Sequence, residues 1–486
     1  MQSFLCKSNA CLTYAIQLQC GCNGIRHQSN SNTIWDTKDT ERGSKYYRHM
    51  TQITVQTLLT HYSNVSDGEI KYSQKIFNIS GFTCNYRKKD RLMRLRLSAL
   101  VAFRPPKASA TSVLVVLGLW LLLFHWFTRI DVWLHSLMCS FPGSDTDYHV
   151  LLVADPQLVD NHTYPGRPWP LLKLSQVTAD DYMRRNYRSL LTHLRPEAVF
   201  FLGDLMDNGR SSSDEFYARE LERFKRVFAP GTTETLTLVP GNHDIGYGDG
   251  VRLPSLQRFE TFFGKPNQRI ARKGHELIFL DTISLSNTQD EAIYGEARRL
   301  LEEIGREPKM QPRILFHHVP LYRDPSEQPC GKYRESRKFP VAKGHQYQTV
   351  IDPSLSLEIL EKIRPDYIFS GDDHDYCEVV HRYTTGEAVE VTVKSFSLAM
   401  GIKYPAVELL SVGEAGGDAA VAYSLCYLGR PFRDIAAYVV AAVANGLWLL
   451  WSFADRRSGA KLDFPRLLRY TAVEFAAVTF MYWIIK

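Results

Sequence analysis

From residue 148 to about 412 the chain alternates short apolar runs with amphipathic stretches. The runs at 148–154, 198–202, 235–239, 277–281, 314–316, 367–369 and 389–393 are rich in β-branched and aromatic residues and predict strands. The stretches at 176–194, 214–228, 291–304 and 353–363 repeat apolar residues at helical spacing, and Asp352 is placed to cap the last of them. This β–α alternation predicts an α/β domain whose reactive loops leave the ends of strands.

Three longer apolar runs flank that region. Residues 108–127 carry no charge, and their 20 residues at about 1.5 Å each cover roughly one hydrocarbon thickness. Residues 87–107 before them hold eight Lys or Arg against the single acid Asp90, so a transmembrane helix is expected with its N-terminal side in the cytosol. Residues 435–453 form a second span whose strongly polar side chain is Asn445. Arg456, Arg457, Lys461, Arg466 and Arg469 then return the chain to the cytosol. The run at 470–485 is short and carries Glu474; it either crosses a third time or lies in the interface, and crossing is favoured. By this topology the 148–412 domain lies across the membrane, where Asn161-His162-Thr163 is a glycosylation sequon and those at Asn64 and Asn78 go unused. Residues 1–86 show no sustained period and read as a disordered extension.

Composition changes this picture little. The 44% hydrophobic and 23% charged content is ordinary for a globular protein, so membrane segments must be local. The net charge of +6 does not argue for nucleic acid, because many of the bases sit beside apolar runs. The nine cysteines form no paired Cys-x-x-Cys zinc pattern. Cys330 and Cys377 lie well inside the central domain, either as a disulfide or as two buried thiols.

Polar clusters follow five of the apolar runs: Asp155-Pro156-Gln157, Gly203-Asp204-Leu205-Met206-Asp207, Gly241-Asn242-His243-Asp244, His317-His318 and Gly371-Asp372-Asp373-His374. Any one of them alone reads as a solvated turn or a helix cap. Together they supply oxygen donors for hard cations and an imidazole for proton transfer. Of the adjacent histidines, the spacing to Pro320-Leu321-Tyr322 favours His318 over His317 as a ligand. Arg167, Arg210 and Arg323 are either phosphate-holding groups or solvated surface.

The order Asp-x-Gln, Gly-Asp-x-x-Asp, Gly-Asn-His-Asp, His, Gly-Asp-x-His resembles the signature of the calcineurin-like metallophosphoesterases. That resemblance implies a two-sheet sandwich flanked by helices, here tethered by transmembrane helices at both ends. It further implies two divalent cations bridged by Asp204. Asp155, Gln157 and His374 fall on the first metal, and Asn242, His318 and Asp372 on the second. His243 is then the general acid, with Asp207 holding its other ring nitrogen. Gln157 and Asp372 stand where the superfamily usually has histidines, and such oxygen-rich sites suit Mn²⁺ more than Zn²⁺.

Tyr164-Pro165-Gly166-Arg167, Gly344-His345-Gln346-Tyr347-Gln348 and Ser370-Gly371-Asp372-Asp373-His374-Asp375-Tyr376-Cys377 narrow the likeness to the fungal cell-division-control and GPI-remodelling branch. Its members resemble post-GPI-attachment phosphoesterases, manganese enzymes of the endoplasmic-reticulum membrane that remove an ethanolamine-phosphate side branch from GPI anchors. The expected partners are therefore a GPI glycolipid and the membrane, with no nucleic acid. Alternatives are a phosphatase of the same fold on another substrate, or a non-catalytic membrane factor in manganese homeostasis. A spent site should lack Asp204 or His243, and both are present.

Overall fold

Ser109 caps the first helix: its hydroxyl accepts from the Ser112 amide, and the Ser112 hydroxyl accepts from the Ser109 amide. Helix α1 (Ala110–His125) passes through a π-helical turn, Trp126–Ile130, into α2 (Asp131–Leu137). The structure is a computed structural model that describes residues 109–485 except 230, 337, 345–346, 417–419 and 456–460. The extension 1–86, the basic flank 87–107, His345, Gln346, Arg456 and Arg457 lie outside the described residues.

The chain continues as β1 (Tyr148–Val153), α3 (Trp169–Leu194), β2 (Ala198–Phe201), α4 (Asp214–Val227), β3 (Glu234–Leu236), α5 (Asn242–Ile245) and α6 (Leu253–Phe263). Next come β4 (Gln268–Arg272), β5 (His275–Phe279), α7 (Thr282–Leu285), α8 (Glu291–Arg306), β6 (Arg313–Phe316) and the short pair β7 (Lys343–Gly344) and β8 (Tyr347–Gln348). Then follow α9 (Pro353–Ile363), β9 (Tyr367–Ser370), β10 (Cys377–Tyr383), β11 (Gly386–Thr392), β12 (Ala406–Val412) and β13 (Val421–Tyr427). Helices α10 (Pro431–Phe453) and α11 (Phe464–Ile485) end the described chain.

Two sheets form an α/β sandwich, one in the order β13-β12-β1-β2-β3 and one in the order β10-β11-β9-β6-β5-β4. β1, β2 and β3 run parallel, as do β5, β6, β9 and β11, so within each sheet their C-terminal ends point one way. Period-two alternation builds the layers. Val150, Leu152 and Phe200 share one apolar cluster with Phe279, Phe316 and Phe369 of the other sheet, and the Phe200 ring lies 5.2 Å from that of Phe279. Leu151, Val153, Val199 and Phe201 point the other way, onto Met183, Tyr187 and Phe224 of α3 and α4.

The structure departs from the sequence reading in several places. The 235–239 strand pairs only over Glu234–Leu236, because the chain must then leave the sheet to bring Gly241 against Asp204. The domain does not end at 412, since β12 pairs in register with β13 from Val412↔Val421 to Ala406↔Tyr427. The 176–194 helix starts at Trp169, with a proline in its first turn.

Thr111–Leu137 and Pro431–Phe453 are long and apolar enough to cross a bilayer. Only 17% and 11% of their most apolar windows are buried, so neither is a core helix. α11 packs against α1, with Tyr482 and Phe124 rings 5.3 Å apart, and its Glu474 accepts a 2.5 Å bond from Asn445 of α10. Two disulfides close the domain, Cys330–Cys377 and Cys139–Cys426. The second was not foreseen: Cys139 and Cys426 are 287 residues apart in sequence.

Candidate metal centre

The motifs gather at the C-terminal ends of the strands: Asp155 and Gln157 after β1 and Asp204 and Asp207 after β2, while Asn242 and His243 open the short helix α5 beyond β3. His317 and His318 follow β6, and Asp372 and His374 follow β9. Asp155, Gln157, Asp204, Asp372 and His374 all have positive φ, which is five of the nine such non-glycine residues among those described. An L-residue pays for that conformation with local strain, so its concentration at one place marks a built site. Glycine makes the close approaches possible. A Cβ on Gly241 would run into the amide and carboxylate of Asp204, and one on Gly203, whose φ is +92°, would lie 2.5 Å from His318 Nδ1.

The acids and imidazoles converge. Ligand atoms of Asp155, Asp204 and His374 lie within 4.8 Å of one another. His318 Nδ1 donates to the Leu202 carbonyl at 2.6 Å, which fixes the tautomer and leaves Nε2 to face Asp204 Oδ1 at 3.4 Å and Asp372 Oδ1 at 3.6 Å. The Gln157 amide nitrogen donates to Asp207 Oδ1 at 2.9 Å, leaving its oxygen as the free end. Buried Asp155 Oδ2, Gln157 Oε1 and His318 Nε2 have no hydrogen-bond partner. Burial pushes the Asp155 carboxyl well above its ordinary value and Asp372 up to about 7, and the neighbouring Asp204 adds to both. Burial alone would lower His318, but without cations Asp204, Asp155 and Asp372 hold it up to about 10, on a proton that a bound cation would displace from Nε2. Burial takes His374 down to about 4, which keeps a neutral, ligand-competent ring. Crowded buried carboxylates with unpartnered donor atoms fit divalent cations, which would supply the missing positive charge.

His243 stands beside this group. Its main-chain amide donates to Asp204 Oδ1 at 2.9 Å, and its Nδ1 donates to the Asp207 carbonyl oxygen at 2.6 Å. Asp207 thus holds this ring nitrogen through its carbonyl oxygen, its carboxylate being farther, at 3.4 Å. That carboxylate is committed to Gln157 and to His162 Nδ1, the latter at 3.0 Å. His162, half-exposed and with its ring 6.3 Å from that of His243, was missed in the sequence and forms a second cluster with Asp207 and His243. Burial would lower His243, but Asp204 and Asp207 outweigh it and hold its pKa up to about 9.

A family model described as calcineurin-like phosphoesterase matches residues 148–376. Cell division control protein 1 of Saccharomyces cerevisiae is 40% identical over 348 residues, covering 67% of this chain and 71% of its own. The chain belongs to the calcineurin-like metallophosphoesterases. Metallophosphoesterase 1 of Mus musculus is 29% identical over 299 residues (57% of this chain, 72% of the relative), and the Metallophosphoesterase 1 homolog of Caenorhabditis elegans is 29% identical over 253 residues (51% and 67%). The protein is thus a metal-dependent phosphoesterase.

The remaining polar residues of this metallophosphoesterase are structural or line the approach. His317 turns away from the acids and lies 4.0 Å from Glu390. Arg323 is no phosphate holder: it is buried and paired with Glu390 at 2.7 Å. Arg210 donates to the Asn242 carbonyl at 3.0 Å, and Arg167 donates to Ser175 while covering the Tyr164 ring. Asp373 pairs with Arg334, and Asp375 accepts from Ser336 and Lys394. A cleft of about 670 Å³ opens beside His374, lined also by Arg334, Lys338, Met400, Lys403 and Tyr404. Glu335, Asp373 and Asp375 line it too, so its wall is polar and mixed in charge.

Proposed function

We propose that the protein is a membrane-tethered dinuclear phosphodiesterase of the endoplasmic-reticulum lumen. In this reading it uses Mn²⁺ to remove an ethanolamine-phosphate side branch from a GPI-anchor mannose. The observation that carries the reading is the buried, oxygen-rich donor set at the ends of both sheets, in which Asp155 Oδ2, Gln157 Oε1 and His318 Nε2 lack a hydrogen-bond partner. Asp155, Gln157 and His374 would hold one cation and Asn242, His318 and Asp372 the other, with Asp204 shared between them. When bound, the cations polarise the phosphoryl oxygens and lower the pKa of water.

The chain's own residues do the rest. A carbonyl oxygen only accepts, so Asp207 keeps a hydrogen on His243 Nδ1 and leaves Nε2 to carry the proton toward the leaving oxygen. Without cations, the neighbouring acids hold the pKa of that imidazole up to about 9. Asp207 also turns the Gln157 amide so that oxygen, not nitrogen, faces the cations. Two disulfides suit an oxidising compartment, and tethering at both ends suits a substrate held in the bilayer.

The test compares GPI glycans from cells with and without the protein. Retained ethanolamine-phosphate in its absence, rescued by wild type but not by Asp204→Asn, supports the reading. Unchanged glycans alongside intact hydrolysis of a synthetic diester would assign the site to another phosphoester.

A further inference from the structure

Away from the metal centre, a cavity of about 380 Å³ lies between the α1–α2 helix and α3. Its walls hold Arg129, Arg184, Arg185, Arg188 and His193, with Thr128, Ser189 and Thr192, and no acid is among its ten lining residues. The pattern follows from helix geometry. Arg184, Arg188 and Thr192, like Arg185, Ser189 and His193, recur at four-residue spacing and so share one face of α3. Opposite them the π-helical turn carries Thr128 and Arg129, and Val132 and Trp133 lie one turn further on. π turns inside α-helices recur at functional sites.

The cations are held from the protein side. Asp181 pairs with Arg184 at 2.6 Å and with Arg185 at 3.6 Å, and Arg185 also donates to the Phe127 carbonyl at 3.3 Å. Ser189 donates to Ser136 at 2.9 Å, so α2 and α3 are locked together behind the cavity. The place along the helix matters as much as the charge. Trp126 and Trp133 are exposed at this end of the apolar stretch, where aromatic residues mark the membrane–water interface.

We propose that this cavity binds the phosphate headgroup of an anionic phospholipid in the leaflet beside the catalytic domain. Guanidinium groups match phosphate oxygens with paired hydrogen bonds. The proposal rests on the reading that α1 crosses the bilayer, but not on which ester the metal centre cleaves. A lipid seated here fixes the domain's height and tilt over the membrane.

The experiment uses full-length protein in detergent, titrated with phosphatidylinositol, phosphatidylcholine or inorganic phosphate, with bound lipid read by native mass spectrometry. Phosphatidylinositol should bind at one site, roughly tenfold or more tighter than phosphatidylcholine. The double variant Arg129→Gln/Arg188→Gln should weaken that binding by roughly tenfold, whereas Arg129→Lys/Arg188→Lys should keep most of it. Hydrolysis of a soluble p-nitrophenyl diester should be unchanged in both variants, since neither arginine belongs to the metal centre. Equal binding of the two lipids, undiminished binding by the Gln variant, or equal loss in the Gln and Lys variants overturns the proposal. Displacement of phosphatidylinositol by an equal concentration of inorganic phosphate also overturns it and leaves a soluble-anion site. None of these outcomes bears on GPI cleavage, so the two readings fail separately.

Discussion

His243 is held by a carbonyl oxygen at 2.6 Å, and that single contact decides which ring nitrogen can give up a proton. His243→Ala should therefore retain both metals while losing roughly a hundredfold or more in turnover on an alkyl diester, whose alkoxide leaves poorly. The loss should shrink with a p-nitrophenyl diester; equal losses on both esters would point to ligation or folding. Asp207→Asn tests a different role. An amide cannot accept from both Gln157 and His162 as the carboxylate does, so the Gln157 amide loses its fixed orientation. Metal affinity measured by titration of apo-protein should fall about 10–100-fold. Asp372→His exchanges an oxygen donor for nitrogen and should shift reactivation of apo-protein from Mn²⁺ toward Zn²⁺. Zinc restoring the wild type as well as manganese, with no change in the variant, would remove Asp372 from the ligand set. These residues are legible in the sequence because each polar cluster directly follows an apolar strand run. His162 is not: it lies in a loop beyond the Asp155 motif, and only folding brings it to Asp207. The arginines mislead for the same reason, since nothing in the order of residues shows that Arg323 is buried against Glu390.

At the scale of elements, the parallel strands at the centre of each sheet are readable because they are apolar on both faces. The strands β10, β12 and β13 escape notice. Their sequences mix Glu378, His381, Glu408 and Tyr423 into the apolar pattern, and polar residues in a strand argue against burial until a partner is known. β11 shows how such residues are kept. Its Glu390 is fully buried and accepts from Ser370 at 2.7 Å and from the Leu321 amide at 3.2 Å, and it pairs with Arg323 and His381. This network ties β11 to the loop that carries His317 and His318. Burial alone would raise the Glu390 carboxyl, but Arg323 and His381 overcome that and hold it well below its ordinary 4.5. A carboxyl depressed in the folded state adds stability that is complete above its unfolded pKa and disappears as pH falls through its folded one. Thermal stability should thus decline below about pH 4.5, the ordinary carboxyl value. Glu390→Gln strands the Arg323 charge in the interior and should cost about 3–5 kcal/mol at neutral pH. The gap to wild type should narrow in acid, and a gap independent of pH would mean that the charge is not the source of the stability.

For the whole molecule, the decisive geometry is that both candidate membrane helices leave the catalytic domain at one place. Cys139, just beyond α2, is bonded to Cys426, just before α10. Near the same junction Arg433 of α10 pairs with Asp131 of α2 at 2.5 Å, and Tyr182 donates to the Gly429 carbonyl at 2.7 Å. Helices pinned together at this end put the domain on one side of the bilayer, and if both cross, the flanks 87–107 and 456–469 share the other side. Those flanks are strongly basic, so under the proposed luminal orientation the positive-inside rule would put them in the cytosol. The disulfides agree by an independent route, because cytosolic thiols are kept reduced. In sealed microsomes the 148–427 domain should resist added protease until detergent is present, and Cys139, Cys330, Cys377 and Cys426 should resist alkylation unless reduced first. The exposed Asn161 offers a third readout, a glycan lost on Asn161→Gln, although its neighbour His162 is bound to Asp207 and the crowding there works against the transferase. Digestion of the domain in intact microsomes, together with free thiols at these four cysteines, would reverse the topology and with it the case for a luminal glycolipid substrate.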